Sequence, residues 1–295
     1  MSVCPLCTNN RSTDFPIFYT FHRRDFQAKQ CTSCSFVYLD PRPTGEELAL
    51  LYSDEYFLHD GTDCGAHSAT DYETAAIKGS VKFPEILGAI QKFKPSGDFF
   101  EIGCGMGYFL EYVRGKGYHV SGIEYSAMGT KLCRERFGLD VRQSSFEELP
   151  PDPGRFDVVF MGDVLEHLID PRAMLEKARR MLKPSGIVAV EVPSMFNSIV
   201  GRLAVRGYRL LRTRKKMPMP PYHVNEFTPI TLRAMFKQAG FRDSVILQRI
   251  KSPWSITLRG NLFEKWVKKA LHYPNYFLTK SFGVFGDRLL GIGRT

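Results

Sequence analysis

"FFEIGCGMGYFL", residues 99–110, sets three glycines at alternate positions behind an apolar run that carries one acid. A strand that runs straight into Gly103, Gly105 and Gly107 needs residues that accept positive φ, and a side chain at these positions would strike whatever the turn cradles. A dinucleotide turn follows the spacing G-x-G-x-x-G, so that a pyrophosphate rests on the next helix N-terminus. Here position 108 is Tyr and the third glycine comes one residue early, which favours a nucleoside without a pyrophosphate. Glu124 ends the next apolar run, "HVSGIE", 17 residues past Gly107. A carboxylate there can accept hydrogen bonds from both hydroxyls of a ribose.

Outward from this turn the chain alternates. The apolar runs "DFFEI", "HVSGIE", "FDVVFMG" and "GIVAVEV" are separated by helical stretches at 126–137 and 171–182. The alternation predicts a mostly parallel sheet with helices on both faces. Before the turn, Phe83, Ile86, Leu87 and Ile90 recur at helical spacing until Pro95-Ser96-Gly97 stops them. Residues 194–221 interrupt the pattern with a basic cluster and Pro218, Pro220 and Pro221, and we read them as an insertion. "TPITLRAMFKQAGF" resumes it with a Thr228 cap and a Gly240 stop, and "GDRLLGIGR" reads as a last strand after amphipathic helical material from about 261 to 282.

A length of 295 residues with 43% apolar content suits one fair-sized domain plus a small appendage. Ser2, Val3 and Cys4 form no basic n-region, and no window approaches the roughly 20 apolar residues that span a bilayer, so we expect a soluble cytoplasmic chain. The formal charge of +9 is concentrated: Arg202, Arg206, Arg209, Arg212, Arg214, Lys215 and Lys216 stand in a stretch with no acid between Glu191 and Glu226. Arg202, Arg206 and Arg209 share a helix face. The insertion leaves the sheet at its carboxyl edge, so the expectation is a cationic lid over an acceptor pocket, facing a phosphate or an anionic membrane surface.

The cysteine count of 7 rules out full intrachain pairing, and four of them form "CPLC" and "CTSC". Cys4, Cys7, Cys31 and Cys34 supply four thiolates for a closed, structural Zn²⁺. Arg11, Arg23, Arg24 and Lys29 against Asp14, Asp25 and Asp40 leave this region without a nucleic-acid footprint. The expected organisation is a zinc-ribbon-like module over 1–40 and a linker with helical cover over 41–80. The first includes the strand-like "FPIFYTFHRR", the second a capping box at Thr44 and Glu47. The main domain then runs over 81–295, with the insertion at 194–221.

In order, E-x-G-C-G-x-G, "GIEYS", "SSFEELP", "FDVVFMGDVLEHLIDP" and "LKPSGIVAVEVP" resemble the class I S-adenosylmethionine-dependent methyltransferases. The resemblance implies a Rossmann-like, seven-stranded, mostly parallel sheet. It implies that Glu101, Gly103, Gly105 and Gly107 hold the methionine moiety of the methyl donor and Glu124 its ribose. Tyr125 and Phe146 would border the adenine, Ser145 would stand by its amino group in place of the usual Asp, and Met161 would line the methionine side. "YLDPRPTGEELALLYSDEYF" is similar to the segment between ribbon and catalytic domain in zinc-ribbon members, many of which resemble sugar or polysaccharide methyltransferases. Tyr56 and Tyr72 of this region are expected over the acceptor.

Because the sulfonium makes the methyl electrophilic, the protein has to align a nucleophile and accept its proton. "GDVLEH" places Asp163, Glu166 and His167 at i, i+3 and i+4, on one face if the segment is helical. The trio resembles the acid-x-x-Glu-His motif of ubiquinone-biosynthesis O-methyltransferases and small-RNA 2′-O-methyltransferases, where it binds Mg²⁺ beside the acceptor hydroxyl. His223 in "PYHVNEFT" stands where those enzymes place a further histidine. With or without Mg²⁺, His167 or His223 can act as the base. The first expectation is O-methylation of a sugar or glycan-type small molecule. The others are a Mg²⁺-assisted RNA 2′-O-methyltransferase and a non-catalytic adaptor on a methyltransferase core.

Overall fold

Two antiparallel strands begin the structure, β1 (Ser12–Phe21) and β2 (Arg24–Cys31), joined by His22 and Arg23 at positive φ, 46° and 63°. Two left-handed residues match the twist of a two-residue hairpin. β3 (Val37–Asp40) adds antiparallel to β2. Thr44 then opens α1 (Gly45–Leu51) with the expected capping box: the Glu47 amide donates to Thr44 Oγ1 at 3.2 Å and the Thr44 amide to Glu47 Oε2 at 2.7 Å. The computed structural model describes residues 3–51, 80–150, 152–254 and 262–295, so Tyr56 and Tyr72 lie outside the described residues.

A 3₁₀ turn at Ser80–Lys82 leads into α2 (Phe83–Gln91), which buries Phe83, Ile86, Leu87 and Ile90 as their spacing requires. β4 (Asp98–Ile102), α3 (Tyr108–Arg114), β5 (His119–Glu124), α4 (Ala127–Phe137), β6 (Val141–Gln143), β7 (Phe156–Gly162), α5 (Pro171–Arg180) and β8 (Leu182–Pro193) follow. Then come α6 (Ile199–Leu210), β9 (Lys215–Lys216), β10 (Asn225–Glu226), α7 (Pro229–Gln238), β11 (Asp243–Arg249), α8 (Leu262–Phe282) and β12 (Arg288–Arg294).

Seven strands form one sheet in the order β11-β12-β8-β7-β4-β5-β6, parallel from β8 to β6, with β12 antiparallel to both of its neighbours. Strand alternation sends Phe99, Val158, Phe160, Ala189 and Ile292 to a core under α2 and α3. It sends Phe100, Val159, Met161, Val190 and Leu289 to the opposite face, where they meet Leu232 and Phe236 of α7. The chain runs from β4 outward to β6, then returns to β7 on the other side of β4. That reversal opens a crevice at the strands' carboxyl ends.

The N-terminal strands do not stand apart. Their sheet has the order β10-β3-β2-β1-β9, so it takes edge strands from residues 215–216 and 225–226. One of its faces carries Phe36 and Tyr38 into the core of the large sheet, against Phe227. The other packs Phe15, Ile17, Tyr19 and Phe26 with Val224, Phe196 and Val205.

Helix α6 is anchored to the small sheet. Arg209 Nη2 donates to Gln30 Oε1 at 2.6 Å and lies over the Phe15 ring, while Arg202 turns back to Asn197 and Phe285. Among the described residues the crevice takes no lining from 194–221. The expected lid is therefore corrected: packing against β1 and α8 holds the basic helix away from the cavity.

Candidate active site

A cavity of about 800 Å³ occupies the crevice, with the glycine turn as its floor. Gly103, Gly105 and Gly107 all have positive φ, 70°, 56° and 80°. Packing explains two of them better than a ligand does. A Cβ on Gly103 would come within 2.6 Å of Val164 Cγ2, and one on Gly107 within 2.8 Å of Cys133 Sγ. Gly107 caps α3 from behind and does not line the cavity.

Glu124 lines the wall at the end of β5 and is almost fully buried. Its Oε2 accepts from the Gly105 amide at 2.7 Å and its Oε1 from the Ser126 amide at 2.9 Å, so this side chain splints the turn to the second strand. Burial raises its pKa against the pull of these amides. Each carboxylate oxygen keeps a further lone pair for an outside donor. Glu101, on the same floor, has an Oε2 with no hydrogen-bond partner among the described residues, and burial, with Cys133 and Glu124 nearby, raises its pKa well above the usual carboxylate range. An unpartnered buried carboxyl is costly, and one that lines a cavity is suited to accept from a bound donor.

On the far wall stand Tyr125, half exposed, with Ser144, Ser145 and Phe146. Ser145 Oγ accepts from the Glu148 amide at 3.2 Å, and Lys177 Nζ lies 5.0 Å from the centre of the buried Phe146 ring. Met161, expected on the methionine side, does not line the cavity. Phe160 and Gly162 do, and the two-residue period of β7 turns Met161 into the opposite core.

Asp163, Glu166 and His167 do not share a helical face. Asp163 sits at φ 57° and Val164 at −125°, and the helical part is only the 3₁₀ turn Leu165–His167. Asp163 is instead held by Arg288 and by Lys82 Nζ at 3.3 Å. Burial works to raise its pKa, but Arg288 and Lys82 outweigh it and hold the carboxyl below the usual range. Arg288 Nε and Arg249 Nη1 also reach Glu191 Oε1, at 3.0 and 2.5 Å, and Lys82 Nζ donates to Glu191 Oε2 at 2.7 Å. The sequence reading passed over this network. Glu191 was its visible sign, an acid in the apolar run of β8 whose burial demands a cationic partner.

Glu166, His167 and His223 do come together, with one ligand atom of each within 4.8 Å of the others. The imidazole rings meet edge to face at 5.1 Å. His167 lines the cavity, and its Nδ1 lies 2.7 Å from the Tyr222 carbonyl oxygen. A carbonyl only accepts, so Nδ1 carries the proton and neutral His167 presents a lone pair at Nε2. Glu166 Oε1 lies 3.6 Å from that Nε2. Burial lowers the pKa of His167, and it lowers that of His223, with help from His167, to about 3. Burial and Asp163 raise Glu166 well above the usual range, and burial raises Glu226, whose Oε1 is 4.0 Å from His223 Nδ1, to about 8. Two imidazoles with one carboxylate suit a transition ion and do not suit Mg²⁺, which wants oxygen ligands. With Asp163 bound to Arg288, the residues present do not form the Mg²⁺ site that the motif resemblance implied.

In the small module, Cys4 and Cys34 Sγ lie 3.6 Å apart and Cys7 and Cys31 Sγ 3.5 Å apart, with all four sulfurs within 4.8 Å.

Residues 79–244 match the family described as "Methyltransferase domain". The chain belongs to that family. A Mycobacterium tuberculosis protein named "Probable S-adenosylmethionine-dependent methyltransferase" is 28% identical over 147 residues, 50% of this chain and 49% of its own length. The chain thus spans about half the length of the first curated relatives it matches. A ubiquinone biosynthesis O-methyltransferase of Cereibacter sphaeroides is 29% identical over 199 residues, covering 64% of this chain and 78% of its own. Among solved structures, the 1,6-didemethyltoxoflavin N1-methyltransferase of Burkholderia thailandensis, crystallised with S-adenosylhomocysteine, superposes with a TM-score of 0.55 at 15% identity, over 90% of this chain and 98% of that one. At that identity the likeness speaks for the fold of this methyltransferase domain alone.

Proposed function

We propose that the chain transfers the methyl group of S-adenosylmethionine to a hydroxyl oxygen of a small-molecule acceptor, with His167 taking the proton. The observation that carries this reading is the His167 ring, which is fixed by the Tyr222 carbonyl and lines a cavity that also holds the glycine turn and Glu124. The donor supplies an electrophilic methyl at its sulfonium. Glu101 and the turn amides receive its methionine end, Glu124 its ribose, and Tyr125, Ser145 and Phe146 its base. His167 Nε2 then accepts the acceptor's proton, while Nδ1 stays held on the Tyr222 carbonyl.

A buried histidine is a weakened base, and proton transfer works best when the donor's acidity approaches the base's. A phenolic hydroxyl, with a pKa near 10, therefore fits better than the sugar hydroxyl expected from the sequence. The ubiquinone O-methyltransferase relatives are consistent with this choice, as are Val164, Leu168, Ile169 and Leu48 on the cavity wall. Methyl uptake measured over a panel of catechols and other phenols against nucleotide sugars and glycans tests the assignment. Uptake by sugars and not by phenols would reverse it.

We infer that Cys4, Cys7, Cys31 and Cys34 hold one structural Zn²⁺. Four sulfurs about 2.3 Å from one ion stand about 3.8 Å apart, close to the spacings of 3.5 and 3.6 Å found here. Four thiolates leave no position open for substrate. Metal analysis of freshly purified protein should give one zinc per chain.

A further inference from the structure

Helix α8 leaves large aromatic side chains exposed to solvent. Among its described residues the fully buried side chains are polar: His272 meets the Lys251 carbonyl at 2.9 Å, Asn275 Oδ1 accepts from the Ile199 amide at 2.9 Å, and Thr279 donates to the Asn275 carbonyl at 2.8 Å. Its exposed side is aromatic. Trp266, Tyr273 and Phe277, at i, i+7 and i+11, form one stripe and are 69%, 40% and 62% exposed. Trp254, 77% exposed, extends the stripe by standing edge-on to Tyr273 at 5.9 Å, and Phe282 adds to its far end. Hydrogen bonds of His272 and Asn275 thus tie the helix to the domain, while Trp266, Tyr273, Phe277 and Phe282 are left outward.

Beside α8 lies α6, joined to it through Ile199 and Asn275, with Leu203, Leu210 and Leu211 exposed. Arg206 stands on α6 between Leu203 and Leu210, and Arg212 follows Leu211. Arg206, Arg212, Lys215 and Lys216 are exposed and have no acidic partner among the described residues, and the stretch from Val192 to Asn225 contains no acid at all. We propose that the exposed faces of α8 and α6 form a docking surface for an anionic lipid bilayer. Trp254, Trp266 and Tyr273 would lie at headgroup level, with Phe277, Leu203 and Leu210 entering the acyl boundary and the arginines and lysines meeting lipid phosphates. Trp and Tyr combine an apolar body with a polar edge, which suits them to that boundary, and basic residues draw a helix to acidic headgroups. A second copy of the chain fits less well, because a two-fold contact over this face would bring the two unpaired cation sets together.

The chain contains only two tryptophans, Trp254 and Trp266, both on this surface, so intrinsic fluorescence reads it directly. Vesicles of phosphatidylcholine mixed about three to one with phosphatidylglycerol should shift Trp emission to the blue and carry the protein into the pellet, whereas phosphatidylcholine alone should do so at least tenfold more weakly. The Trp266→Ala/Phe277→Ala variant should lose at least tenfold in vesicle affinity with an unchanged melting temperature, and Arg206→Gln/Arg212→Gln should lose a comparable share of the preference for acidic lipid. Three results would overturn the proposal: no sedimentation with acidic vesicles, full retention of binding by the aromatic variant, or a concentration-dependent dimer that buries both tryptophans without lipid.

Discussion

His167 is the residue whose surroundings say most about its task. Its Nδ1 proton is fixed on the Tyr222 carbonyl, and burial keeps the ring neutral at neutral pH. Methyl transfer should therefore rise with pH as the imidazolium loses its proton, at a midpoint below the ordinary 6.5, and stay flat above it. His167→Asn should lower kcat by roughly 10² to 10⁴, erase that acid limb and leave donor affinity unchanged in calorimetry. An intact limb in the variant would pass the role to another group. Glu124 makes a different demand, because both its oxygens already splint the glycine turn. Glu124→Gln turns an amide N–H toward one of those backbone donors and should weaken donor binding by roughly 2 kcal/mol or more, over tenfold. Unchanged affinity would mean that the ribose binds elsewhere. The sequence displayed Glu124 and His167 because each follows a strand at a readable distance. It misplaced Met161 by one residue of strand parity, and Asp163 because i, i+3, i+4 spacing means one face only where the backbone is helical. At Asp163 the backbone is left-handed, and the acid belongs to Arg288, 125 residues away.

At the scale of elements, what local chemistry controls was legible. The Thr44 and Thr228 caps, the apolar face of α2 and the glycine turn each follow from residues within a few positions of one another. The two-residue strands β9 and β10 were not, since no periodicity can mark a pair of residues that become strand only by finding β1 and β3. For the same reason the sequence did not show that the insertion completes the small sheet. The consequence concerns zinc. Cys4, Cys31, Phe36 and Tyr38 belong to the same core as Val159 and Phe236 of the main domain. With the proposed zinc at this site, Cys31→Ser should lose the metal and, because the core is shared, lower the melting temperature of the whole chain in one transition. A separate early transition with the main melt unmoved would show that the cysteine module is thermodynamically independent.

For the whole molecule, the meeting of the two sheets puts a titratable acid in a dry place. Glu226 ends β10 and belongs to the small sheet. Its Oε1 lacks a hydrogen-bond partner among the described residues, and His223, 4.0 Å away, is held neutral by its own burial. Burial raises the Glu226 pKa from 4.5 to about 8. Below pH 4.5 the acid is neutral in both folded and unfolded chains and imposes no pH dependence. Between 4.5 and about 8 the unfolded chain releases this proton while the folded chain keeps it, so stability is lost progressively as pH rises, and above 8 the loss is complete. Glu226→Gln keeps the shape and removes the proton. The variant should match the parent in melting temperature near pH 4.5, exceed it by a margin that widens toward pH 8, and hold that margin beyond. Melting curves taken across this range for both proteins check the sign as well as the size. A constant offset at every pH would mean that Glu226 is ionised in the folded state and that a partner for it has to be found where the two sheets join.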